Sequence, residues 1–256
     1  MLPRSIGVTD VPTGAAASAL ADVVPADANF RLHVGVMMNR KTLLGLPTRW
    51  SAIWPRNVEI AEIFTAHPRV LNVLHYADYN ASGLTPPLAA ALCFTGPHLH
   101  AVQLDMIWPD VRALVRFRAR YPFLESVILQ IGLPALKMCG GDWRAACRAV
   151  AAYGAAIDGI LIDMSMGLGV LLDPARTDEC VAIARAELPD LRIAIAGGLG
   201  SETVSLIEPI LAKYPGISID AAGRLRPSGN SSKEKLSLPM AEAYVRAASA
   251  LFVRYP

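Results

Sequence analysis

The chain has 256 residues, 53% of them hydrophobic, and its 24 basic against 22 acidic side chains give a formal net charge of +2. That balance excludes the basic footprint of a nucleic-acid or anionic-membrane protein; mean hydropathy is +0.37, yet no uncharged apolar run approaches the roughly 18 residues of a membrane span. "MLPRSIGVTD" has no long apolar segment behind a basic start, the four cysteines form no C-x-x-C pair and the five histidines no H-E-x-x-H, so the expectation is a cytoplasmic protein with reduced thiols and no metal site.

The first candidate strand, "RSIGVT" (4–9), is a weak one, and the Ala- and Pro-rich stretch 10–30 behind it lacks clear periodicity. Apolar runs then follow at 32–38 (LHVGVMM), 70–76 (VLNVLHY), 100–106 (HAVQLDM), 126–132 (SVILQIG), 159–163 (GILID), 192–198 (RIAIAGG) and 217–223 (ISIDAAG). Amphipathic segments separate them: "PDVRALVRFRARYP", "DWRAACRAVAAYGAA" and "SETVSLIEPILAKYP". In the first of these, Val111, Leu114, Val115 and the stem of Arg118 recur near the helical period. The Pro-rich stretches 85–87 and 226–240 read as loops. Apolar runs buried on both faces and followed by helices are what a parallel sheet requires, and eight of them in one chain predict an α/β fold, a single (β/α)8 barrel over residues 1–256. A doubly wound sheet is the rival, but it needs fewer strands at this length.

In such a barrel the active site lies at the C-terminal ends of the strands. Polar residues there are Asn39, Arg40 and Lys41 after the second strand, His75 and Asp78 after the third, Gln103 and Asp105 on the fourth, Gln130 on the fifth and Asp163 on the sixth. The seventh strand ends on Gly197 and Gly198 with a helix expected from Ser201, and the eighth on Ala221, Ala222 and Gly223. Small residues let a ligand approach backbone N–H groups, and the loops after strands seven and eight are the usual barrel phosphate site, so a phosphorylated small molecule is the expected ligand.

Asp163 followed by Gly167-x-Gly169-x-x-x-Asp173, the triplet Gly197-Gly198-Leu199, the small-small-Gly end of strand eight and the Val102-Gln103-Leu104 run resemble phosphoribosylanthranilate isomerase of tryptophan biosynthesis. The resemblance spans roughly 100–225. It implies a cofactor-free Amadori rearrangement of an N-linked phosphoribosyl amine, with Asp163 as the acid. Substrate and phosphate would be held by Gly167, Gly169, Gly197, Gly198, Ala222 and Gly223. The family's cysteine base lies in C-G-I-T; the counterpart here, "IGVT", puts Ile6 in its place, which leaves Asp105 as first candidate for the base and His75 as second. The family's substrate-binding arginine falls near Leu44, with Arg40, Lys41 and Arg49 close by, and Asp220 stands one position away from the family's acidic residue in the last strand.

Two other readings remain open. One is a different phosphosugar epimerase or lyase, although none of the eight runs contains the lysine that a Schiff-base lyase needs. The other is a non-catalytic phosphate-ligand-binding barrel that has lost its base. "RLRPSGNSSKEKL" (224–236) reads as a mobile solvated loop placed to act as a lid, with Arg224 or Lys233 reaching an anion, and the apolar content of the helices points to a homodimer.

Overall fold

The computed structural model describes residues 3–78, 85–105, 108–165 and 170–256. In chain order the elements are β1 (Arg4–Thr9), α1 (Gly14–Val23), β2 (Phe30–Asn39), α2 (Arg40–Leu43), α3 (Ile60–Ile63), β3 (Val70–Ala77), α4 (Thr85–Leu92), β4 (Ala101–Leu104), α5 (Val111–Arg120), β5 (Ser126–Ile131), α6 (Leu133–Met138), α7 (Trp143–Ala151), β6 (Gly159–Asp163), α8 (Pro174–Glu187), β7 (Arg192–Ala196), α9 (Glu208–Lys213), β8 (Ser218–Ala221) and α10 (Leu238–Arg254). The eight strands pair in sequence order, all parallel, and β8 returns to β1, so the sheet closes as the expected (β/α)8 barrel. Among the described residues no helix is long and apolar enough to cross a membrane.

Alternation along the strands divides the side chains between two environments. Ile6, Val8, Val34, Val36 and Tyr76 face outward and are fully or almost fully buried against the helices, with Leu20, Tyr244 and Phe252 from the outer ring. The opposite set (Gly7, Thr9, His33, Gly35, His75, Gln103, Asp163, Asp220) faces the lumen. A glycine inside a strand loosens it, and here two of them mark close approaches. A β-carbon on Gly7 would collide with the Asp220 carboxylate, and one on Gly35 would stand 2.7 Å from Nε2 of His75. The absent side chains make room for a carboxylate and an imidazole in the barrel interior.

Several local expectations need correction. Residues 14–23 form α1, started by Thr13, whose hydroxyl accepts from the Ala16 N–H. Residues 85–87 open α4 instead of lying in a loop, because proline is tolerated in a first helical turn, where its missing N–H costs nothing. The inner face of α5 is Leu114 and Phe117, and Val115 is 48% exposed; the true pair lies three positions apart, and Val115 lies round the helix from it. No helix opens at Ser201: a 3-10 turn at Val204–Ile207 leads into α9. Ile6, assigned to the position of a base, faces the helices and not the lumen; the lumen-facing neighbour in β1 is Gly7.

The 224–236 segment is tied down. Arg226 is 1% exposed, its guanidinium pairs with Asp10 at 2.6 Å, and it also donates to the carbonyls of Glu234, at 2.9 Å, and Ala222. The Ser228 N–H donates to the Glu234 carboxylate. The segment reaches the mouth, where Ser231 is buried in the cavity wall.

Candidate active site at the barrel mouth

A cavity of about 280 Å3 opens at the C-terminal ends of the strands, lined by Thr9 of β1 and Asp10 after it, Met37 and Asn39 of β2, His75 and Ala77 of β3, Gln103, Asp105, Gln130, Leu161, Asp163, Asp220, Ala222, Ser231, and the Arg49-Trp50-Trp54 loop. A larger cavity, about 900 Å3, lies at the other end of the strands around Glu125, Asp158 and Arg192. Three of its carboxylates are engaged by arginines outside its lining: Arg118 pairs with Asp158 at 3.3 Å, Arg31 with Glu125 at 2.9 Å and Arg144 with Glu187, and Asp158 also accepts from the Val127 N–H. That end of a barrel serves stability, so size does not decide in its favour.

Register sets the centre of the mouth. Asp163 of β6 pairs with Ala196 of β7, Ala196 with Asp220 of β8, Asp220 with Gly7 of β1 and Gly7 with His33 of β2. The two aspartates therefore stand at one level, two strands apart, with only a methyl group between them and no side chain beyond Asp220. Asp163 accepts from Gln130 Nε2 (2.9 Å), the Ser165 N–H (2.8 Å) and the Ser165 hydroxyl (2.9 Å). The Thr9 hydroxyl lies 3.1 Å from both oxygens of Asp220.

A second polar chain runs along the other wall. The Gln103 amide donates to Asp105 Oδ1 at 3.0 Å and lies 3.2 Å from Nδ1 of His75, whose Nε2 is 2.7 Å from Nε2 of His33. An amide donating both hydrogens requires His75 to be protonated on Nε2 and to donate to His33. Burial lowers both imidazoles, His33 to about 3, with the His33 charge further lowering His75, so both are neutral at physiological pH.

The carboxyls shift the other way. Burial holds Asp105 well above the usual carboxylate range, against the Gln103 hydrogen bond and with help from the Asp220, Asp163 and Asp10 charges. Burial pushes Asp220 up to about 7, opposed by the Thr9 hydrogen bond and reinforced by the Asp163 charge. Asp10 rises to about 6 through burial, offset by Arg226. Buried like charges cannot all be ionised, so the cluster retains protons at neutrality and titrates as a unit.

Asp163, Asp105, His75, Gln103 and Gln130 are brought together as the strand-end reading expects. Arg40 and Lys41 are exposed on α2, and Leu44 is 61% exposed beyond it; the arginine on the cavity wall is Arg49, stacked over Trp50 at 4.8 Å, with Trp50 in turn stacked on Trp54 at 5.1 Å. Asp78 is buried beyond the end of β3. Gly167 and Gly169 lie outside the described residues. Asp173 caps α8, accepting from the Ala175 and Arg176 N–H groups. Gly197 and Gly198 take φ of +136° and +58°, and Gly198 is close against the Val170–Leu171 backbone, with no room for a side chain. The Thr203 hydroxyl donates to the Gly198 carbonyl (2.7 Å) and accepts from the Gly200 N–H (2.9 Å), fixing this loop. Ala222 lines the cavity and Gly223 opens a 3-10 turn, Gly223–Leu225. Among the described residues no group of three or more His, Cys, Asp or Glu is arranged to hold a metal ion.

Asp220, Asp10, Thr9, His33 and the Trp50–Trp54 pair were missed as site residues. Alternation alone puts Asp220 on the face of Ser218 and Ala222, and the strand-end rule applied to β1 selects Asp10.

No protein-family model matches the chain, and no curated protein matches it. Solved structures do. Phosphoribosyl anthranilate isomerase from Thermotoga maritima is 16% identical with a TM-score of 0.56, over 98% of this chain and 100% of that one. A phosphoribosyl anthranilate isomerase in complex with reduced 1-(o-carboxyphenylamino)-1-deoxyribulose 5-phosphate has the same identity and coverage, with a TM-score of 0.58. The catalytic domain of a Pyrococcus furiosus chitinase is 9% identical with a TM-score of 0.60, over 98% and 97% of the two chains. An isomerase and a glycan hydrolase at like similarity identify the barrel and not the reaction.

Proposed function

We propose that this barrel is a cofactor-free isomerase of a phosphorylated sugar amine, of the phosphoribosylanthranilate isomerase type. The observation that carries the reading is the position of Asp220. In the family that the sequence resembles, the base comes from the first strand; here the lumen-facing position of β1 is Gly7, and the Asp220 carboxyl occupies the space above it. With its proton affinity raised to about 7, Asp220 suits a base working near neutrality. Asp105, kept protonated by burial, suits the acid. Asp163 accepts from Gln130 Nε2 and from the Ser165 N–H and hydroxyl, and its charge raises the proton affinity of both partners.

In this mechanism Asp105 protonates the ring oxygen as the C1–O bond breaks, which leaves an iminium between C1 and the amine nitrogen. Asp220 removes the proton from C2, and the electron pair moves to form an enol, which ketonises as Asp220 returns its proton at C1 and the enol O–H proton passes to the Asp105 carboxylate, restoring both groups. The product is an isomer of the substrate and no net electrons are exchanged. The fixed loops after β7 and β8 support a phosphate at Gly197, Gly198, Ala222 and Gly223, with Arg224 nearby on the same loop. The test is turnover of N-(5-phosphoribosyl)anthranilate by the purified chain. Turnover that Asp220→Asn and Asp105→Asn both depress supports the reading, and the absence of turnover above background overturns it.

A further inference from the structure

Asp10 has three properties that the acid–base scheme does not use. It is a non-glycine residue at φ +67°, a conformation that costs free energy and collects at functional sites. Its Oδ2 is held at 2.6 Å by Arg226, whose side chain is wholly buried. Its Oδ1 is buried and has no hydrogen-bond partner among the described residues. A fold that commits a buried arginine to one oxygen and leaves the other unanswered has fixed an acceptor and reserved it.

The same wall has a matching donor. Trp54 Nε1 is also buried and unpartnered among the described residues. Asp10 and Trp54 both line the mouth cavity, and both line a second cavity of about 490 Å3 behind it, bounded by Thr13, Glu59, Glu62 and Lys235. Both residues therefore border the two cavities. An unpaired acceptor and an unpaired N–H on one wall are complementary to a group that both donates and accepts, which is the chemistry of a hydroxyl. An ammonium would answer only Asp10, and a phosphate would be repelled by it.

We propose that Asp10 and Trp54 form a hydroxyl-binding subsite, gripping the polyol portion of the ligand at the β1 edge of the mouth, with Arg226 as the positioning residue that orients Asp10. This rests on the reading of the mouth as a sugar-phosphate site.

Binding of D-ribose 5-phosphate and of inorganic phosphate is measured by calorimetry for the wild type, Asp10→Asn and Trp54→Phe, with thermal melting to check folding. In Asp10→Asn the side-chain oxygen stays with Arg226 and the NH2 turns to the cavity, so an acceptor becomes a donor. Each variant is expected to weaken ribose 5-phosphate by about tenfold to a hundredfold while inorganic phosphate binds as in the wild type. Unchanged ribose 5-phosphate affinity in both variants overturns the subsite, as does equal loss for both probes in a folded variant. The 15N resonance of the Trp54 indole, assigned by its absence in Trp54→Phe, separates the two readings. A shift with ribose 5-phosphate or with unphosphorylated D-ribose supports the subsite even if no isomerase turnover is found, and no shift with either overturns it.

Discussion

Asp220 and Gly7 are register partners across the β8–β1 seam, and the carboxyl of the first stands in the space that a side chain on the second would fill, 2.9 Å from Cγ to the position of a β-carbon. The relationship leaves Gly7 with less room for a side chain than Gly35, the other lumen-facing glycine at a close approach. Gly7→Ala is expected to destabilise the fold by about 1–3 kcal/mol, as overpacking does, and to displace Asp220. Chemical denaturation measures the first effect. Turnover lost beyond the fraction unfolded measures the second, and a Gly7→Ala variant as stable and active as the wild type would contradict the packing described.

The Asp163 charge raises the proton affinity of Asp220. Asp163→Asn should therefore move the ascending limb of the kcat/KM pH profile, which reports the base, downward by on the order of one unit. An acid role for Asp163, as the resemblance implies, predicts instead loss of turnover at every pH. The pH profile of one variant separates the two roles.

Stability should fall as pH rises. A carboxyl raised from its unfolded value, about 3.9, to about 7 in the fold binds more protons folded than unfolded between those values. Its favourable contribution is complete below pH 4 and is lost progressively up to pH 7. Asp10, raised to about 6, acts in the same direction. The melting temperature should decline from pH 5 to pH 8, and Asp220→Asn should flatten the decline and melt higher than the wild type at pH 8. Parallel curves for the two proteins would contradict the burial of this charge.

Thr203 holds the loop after β7 through two hydrogen bonds. Thr203→Val removes both and is expected to cost about 1–3 kcal/mol. Because the loop would cradle phosphate, affinity for inorganic phosphate should fall severalfold with little change in the affinity for unphosphorylated D-ribose; calorimetry distinguishes this from a general loss of binding.

The strands were readable because each lies between two hydrophobic layers or between a layer and a closed lumen, so runs such as "VLNVLHY" and "GILID" are apolar almost throughout. The same property hid the register. In "RSIGVT" the eye settles on Ile6, and only closure of the sheet reveals that Gly7 faces inward and that Asp220, far from the other acids in sequence, fills the gap. Asp163 and Asp105 were legible as charges ending apolar runs. Asp10 was not, because its role depends on Arg226, 216 residues later, in a segment whose glycine and serines read as solvated loop. The helix starts at Thr13 and Asp173 follow ordinary capping rules, whereas the 3-10 turn after β7 reflects Thr203 bonding back to Gly198, a contact that sequence periodicity does not report.

The most direct test of the account is turnover of N-(5-phosphoribosyl)anthranilate by the wild type and by Asp220→Asn, side by side at pH 7.5. The account predicts isomerisation by the wild type and a loss of about 100-fold to 10,000-fold in kcat for the variant, with the fold intact. A wild type without turnover, or an Asp220→Asn variant as fast as the wild type, would contradict it.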